Sequence, residues 1–122
     1  MLSPKKFYKS VQYALSGLRY VFKNEYSFRA QLLAAVVVII VMLYFPLDTW
    51  ERVILLILIA AVLVLELINS VFERMSDGLK PRLHPMVKDI KDIMAGAVLI
   101  TAFAASVVAF IIFWPYLVVY FN

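Results

Sequence analysis

The chain has 122 residues, 65% of them hydrophobic and 16% charged, with a formal net charge of +4 and a mean hydropathy of +0.92. Soluble domains are about 45–50% apolar, and a chain this short leaves too much surface exposed to hide the excess; the composition argues against a soluble globular domain. With no cysteine and one histidine, it also excludes disulfides, thiolate nucleophiles and cysteine- or multi-histidine-ligated metals within one chain.

Residues 5–25 read as an amphipathic helix. Phe7, Val11, Leu15, Leu18 and Phe22 recur at helical spacing, and Lys5, Lys9, Ser16, Arg19 and Lys23 line the other side. Such a helix lies in the headgroup plane, either as a plain anchor or with its basic face toward anionic lipid or phosphate. No long apolar run precedes Ala30, so the N-terminus is not expected to be a cleavable signal peptide. Three membrane spans follow, at 30–47, 53–73 and 92–114. Each is long enough for ~30 Å of hydrocarbon, which takes ~20 helical residues, and lipid leaves no alternative to helix for such runs. The second is interrupted by Glu66 and Asn69. The third belongs to an uncharged run from Ile93 to Asn122, in which Pro115 marks a kink or an exit from the bilayer.

Eleven of the twelve basic residues flank the N-terminal segment or the link between the second and third spans; Arg52 alone lies in the other link. The excess of positive charge marks the cytoplasmic side, which puts the N-terminus inside and the C-terminus outside. Tyr44, Trp50, Trp114, Tyr116 and Tyr120 then collect at the outer boundary as an interfacial belt. The expected fold class is all-α integral membrane, one domain over 1–122.

The residues that do not belong in lipid are Glu66, Asn69 and Glu73. A carboxylate inside a span is costly and marks a functional site by default; the alternative is a protonated packing residue beside an amide that bonds a neighbouring helix. Offsets of three and seven place all three on one helical face, with Glu66 and Glu73 ~10 Å apart along the axis. Asp77 extends the row. Glu25 precedes the first span, and Lys88, Asp89, Lys91 and Asp92 precede the third, on the same boundary. Glu25 with Glu73 suits a hard divalent cation, which takes oxygen ligands, and the nearby basic residues suit phosphates. No Gly-x-x-x-x-Gly-Lys-Ser/Thr loop is present and the chain has three glycines, so a nucleotide site must be built from helices and side chains. Three spans in 14.0 kDa leave little room for a whole pocket, which points to an oligomer with shared sites.

These residues resemble the prokaryotic diacylglycerol kinase and undecaprenol kinase family of small membrane lipid kinases, over about residues 6 to 114. Glu66-Leu67-Ile68-Asn69-Ser70-Val71-Phe72-Glu73 is similar to the family's E-x-x-N-[ST]-A-x-E helix, with Val71 in place of Ala. His84-Pro85 and Lys91-Asp92-Ile93-Met94-Ala95-Gly96-Ala97-Val98 resemble its H-P and K-D-x-x-A-G-A-V. Gly17-Leu18-Arg19, Asn24-Glu25 and Phe28-Arg29 complete the likeness. The resemblance implies a homotrimer in the bacterial cytoplasmic (inner) membrane, with ATP as phosphate donor and Mg²⁺ as cofactor. It implies Glu66 as general base on a lipid hydroxyl, Glu25 and Glu73 as metal ligands, and Lys6, Tyr13, Asn69, Asp77, Lys91 and Asp92 around nucleotide and phosphates, with Asn69 also beside the lipid. Gln31 departs from the pattern: relatives often carry Glu or His there.

The chemistry agrees with those roles. Phosphoryl transfer needs in-line positioning and charge neutralisation, and an alcohol nucleophile needs a proton acceptor within reach. Ala95-Gly96-Ala97 is expected to let the third span approach a neighbour closely. His84-Pro85 and Ala95-Gly96-Ala97-Val98 look more like the undecaprenol kinase branch of the family than the diacylglycerol kinase branch, a resemblance that implies undecaprenol as substrate. The competing class is a transporter or assembly subunit with Glu66 as a proton or cation site; the nearly uncharged outer half of the chain speaks against it.

Overall fold

The structure, a computed structural model, describes residues 3–78 and 85–122. Helix α1 spans Pro4–Asn24, α2 Tyr26–Tyr44, α3 Thr49–Gly78 and α4 Pro85–Phe121. Three of them, α2, α3 and α4, are long and apolar enough to cross a membrane, so the all-α membrane class holds.

Ser3 caps α1, accepting a hydrogen bond from the backbone N–H of Lys6 at 3.2 Å, with Pro4 in the first turn. The hydroxyl satisfies an orphan donor, and proline has none to lose there. The helix stops at Glu25, whose backbone is extended (φ −116°, ψ 109°), and a new helix starts at Tyr26. One residue thus separates the surface helix from the first span.

The membrane helices run past the predicted spans. Helix α3 starts at Thr49 rather than 53, so the outer link shrinks to four residues, and it continues to Gly78. Helix α4 starts seven residues before 92 and passes through Pro115 to Phe121. Pro115 therefore does not end the helix; a proline is tolerated in a membrane helix where neighbours re-satisfy the freed carbonyl.

Packing is closest between α3 and α4, then α2 and α3. The core lies at the end of the bundle that holds the α2–α3 link, where Met42 and Phe45 meet Leu55, Ile112 and Phe113. Glu51 is buried there, and its carboxylate accepts from the Asp48 N–H and the Tyr116 hydroxyl. The Tyr44 hydroxyl donates to that of Tyr120 at 3.0 Å, so the aromatic belt is also a latch joining α2, α3 and α4. Elsewhere the helices show large apolar side chains outward, Leu99 and Ile100 being 70% and 72% exposed. The close approach expected at Ala95-Gly96-Ala97 does not occur within the chain: a side chain added at Gly96 would meet open space.

Candidate functional site

Helix α3 supplies the axis of the site. Leu55 and Val62 are buried on one of its faces, and Glu66 and Asn69 continue that face toward the C-terminal end of the helix. The apolar periodicity that turns this face inward carries the polar residues inward with it. Glu66 is only 3% exposed. Asn69 is buried and donates from Nδ2 to Oε1 of the half-buried Glu73 at 3.3 Å. Gln31 of α2 lies beside Glu66; it is an uncharged neighbour that can orient the carboxylate without competing for a proton.

Glu25, at the α1–α2 break, comes near Glu73 and Asp77. Burial, then the like charges of Glu73 and Asp77, push its carboxyl above the ordinary carboxylate range. Among the described residues no group of three or more His, Asp or Glu side chains clusters closely enough to form a metal cage. A pair of carboxylates such as Glu25 and Glu73 is nevertheless chemically suited to Mg²⁺, an ion that takes one or two carboxylates and completes its shell with waters and substrate phosphates.

Asp77 Oδ1 accepts from Lys91 Nζ at 3.0 Å, tying α3 to α4, while Lys88 pairs with Asp92 at 2.7 Å within α4. Asp77, Lys88 and Asp92 are exposed and Lys91 partly so; such pairs stabilise little by themselves and leave Lys91 beside the acidic row. Lys6 and Tyr13 are exposed on α1. Along the α1 axis they stand about 28 and 18 Å from the Glu25 corner at ~1.5 Å per residue; the chain does not gather them at that corner. His84 lies outside the described residues, whereas Pro85 opens α4.

Sequence reasoning missed three features. A cavity of about 280 Å³ lies between α2, α3 and α4. It begins at Gln31, beside Glu66, and runs outward past Ala35, Val62 and Ala105 to Leu55 and Ala109. The alanines at 102, 105 and 109 share one face of α4, a helical spacing that could have flagged it. Arg29 donates across the α1–α2 break to the carbonyls of Phe22 (2.7 Å) and Lys23 (3.1 Å). Arg74 of α3 sits 4.5 Å from the ring centroid of Tyr20 on α1, a cation–π contact. No sequence signal announces either arginine's direction.

Residues 12–113 match the family model described as prokaryotic diacylglycerol kinase. The chain is 32% identical over 110 residues to an undecaprenol kinase of Bacillus subtilis (strain 168), covering 90% of this chain and 89% of that one. It is 28% identical over 108 residues to a diacylglycerol kinase of Escherichia coli (strain K12), 88% of each chain. A diacylglycerol kinase of Helicobacter pylori (strain J99) is 30% identical over 124 residues, 97% of this chain and 90% of the relative.

Proposed function

Because the chain belongs to the prokaryotic diacylglycerol kinase family and is a membrane lipid kinase that uses ATP, we propose that it phosphorylates undecaprenol at the cytoplasmic face with Mg²⁺, as a homotrimer of the bacterial cytoplasmic membrane. The observation that carries this reading is the α3 face on which buried Glu66 leads through Asn69 to Glu73, with Glu25 opposite. A lipid alcohol reaches Glu66 from within the bilayer, and ATP reaches Glu73 from the water.

Glu66 accepts the proton of the lipid hydroxyl as its oxygen attacks the γ-phosphorus; the bond to the β-phosphate oxygen breaks and ADP leaves. Asn69 holds Glu73 and lies beside the hydroxyl. Glu25 and Glu73 hold Mg²⁺, which when bound neutralises charge on the phosphates. Lys91 and Asp92, with Asp77, face the phosphates. Lys6 and Tyr13 contact the nucleotide; their distance from the Glu25 corner and the open face at Gly96 favour sites completed by a neighbouring copy. The cavity below Gln31 suits the lipid tail. A 150 Å³ apolar cavity accepts benzene, so ~280 Å³ takes on the order of ten carbons of one chain, and this favours a single-chain alcohol over a two-chain one. Basic residues on one side of the spans support an inner N-terminus and an outer C-terminus.

The test is reconstitution in vesicles with ATP and Mg²⁺, undecaprenol and diacylglycerol offered in parallel, with Glu66→Gln as control. Turnover on undecaprenol, reduced about 10²–10⁴-fold in the variant, is expected. Preference for diacylglycerol overturns the lipid assignment, and an active, folded Glu66→Gln protein overturns the role of Glu66.

A further inference from the structure

Glu25 is the one extended residue between two helices, so the direction of its side chain depends on what fixes the angle of that corner. Arg29 stands one helical turn later, and long side chains on a helix lean toward its N-terminus. Its backbone N–H donates to the Glu25 carbonyl at 3.3 Å, and its Nη1 reaches beyond the corner to the Phe22 and Lys23 carbonyls. Both carbonyls belong to the last turn of α1, where no partner exists inside the helix. From the other side, Arg74 lies on the Tyr20 ring and ties the same turn of α1 to α3.

These contacts work against a repulsion. Glu25 lies near enough to Glu73 and Asp77 to feel their like charges, and that repulsion drives the corner away from α3 when no cation lies between them. Among the described residues the ion pairs are Lys88–Asp92 and Lys91–Asp77; none of these described pairs involves Glu25 or Glu73, and Arg29 spends its guanidinium on carbonyls. Arg29 thus braces the corner through carbonyls and leaves the Glu25 carboxylate to other partners.

We propose that Arg29, assisted by Arg74, is a positioning residue: a strap across the α1–α2 corner that keeps Glu25 facing Glu73, so that the cation site is formed before nucleotide arrives. Arg29 itself touches neither substrate nor cation. The inference rests on the reading of Glu25 and Glu73 as the metal pair. A preformed site binds its ion without first closing the corner, so the strap acts on cation affinity and leaves the chemical step alone.

The experiment measures Mn²⁺ binding by electron paramagnetic resonance to the full chain in vesicles with a non-hydrolysable ATP analogue and no lipid alcohol. Arg29→Gln should weaken Mn²⁺ binding about tenfold, the scale of a lost charged hydrogen bond. Saturating Mn²⁺ should restore full occupancy, Arg29→Lys should recover part of the affinity, and kcat at saturating Mg²⁺ should stay within about twofold of the parent. Glu25→Gln should lose the site. If Arg29→Gln fails to fold, Arg29→Lys and Tyr20→Leu, which removes the Arg74 contact, should each weaken binding by a smaller factor. Unchanged affinity in the folded strap variants, with loss in Glu25→Gln, refutes the strap and leaves the metal pair standing. Unchanged affinity in Glu25→Gln refutes the metal pair and the strap with it.

Discussion

Asn69→Ala tests the site where its geometry is most explicit. Asn69 is buried, and the Nδ2 hydrogen bond at 3.3 Å is what its amide offers Glu73. Hydrogen bonds to charged groups contribute about 1.5–3 kcal/mol, and the strong ones are about 2.7–2.9 Å long. At 3.3 Å the contribution falls to the bottom of that range or just below it, about 1–1.5 kcal/mol. If Glu73 is a metal ligand, the variant frees its carboxylate to turn away from Glu25. That orientation must be recovered on binding, and 1.4 kcal/mol is tenfold. The half-saturating Mg²⁺ concentration, measured with lipid kinase activity in vesicles at saturating ATP, should rise about five- to tenfold. Activity at high Mg²⁺ should largely return. An unchanged Mg²⁺ response in a folded protein would show that Asn69 does not organise Glu73. A fall in kcat that Mg²⁺ cannot rescue would assign the amide to the reacting groups instead.

Tyr116→Phe removes a hydroxyl donor from buried Glu51 at the α2–α3 link end of the bundle. It should cost about 1.5–3 kcal/mol in reversible detergent unfolding while activity per folded protein stays unchanged; a selective loss of activity would contradict the separation of latch and site. The Glu25 carboxyl, raised in the folded state, binds its proton more tightly there than in the unfolded chain. Metal-free protein should therefore lose stability as pH rises from the ordinary carboxylate value through the raised one. Glu25→Gln should be the more thermostable form above that window and equal to the parent below it, and melting curves in chelator from pH 4 to 8 that coincide throughout would refute this. Ala105→Phe fills the cavity below Gln31 and should raise KM for long-chain alcohols more than for short-chain ones; equal effects on both would place the tail elsewhere.

The helices were legible because uncharged runs of span length have one solution in lipid. Their ends were not. Trp50-Glu51-Arg52 reads as a loop, yet Glu51 finds a hydroxyl donor on Tyr116, 65 positions away in sequence, and no local pattern reports that. Pro115 reads as a kink or an exit from the bilayer, and the helix continues through it to Phe121. The α3 face was legible because an acid and an amide inside an apolar run are conspicuous, and helical spacing alone puts them on one side. Arg29 was visible as a letter and silent as a contact. Its reach depends on the angle of a one-residue break, which is a tertiary quantity.

The same break turns α1 into a lever. With a single extended residue between them, α1 follows α2 when that span leans. A membrane helix meets a change in bilayer thickness largely by tilting. Twenty-one residues make an arm of about 31 Å, so a lean of about 10° carries the far end through about 5 Å. Lys6 sits near that end. The thickness of the surrounding lipid is in this way written into the position of a cation at the membrane surface.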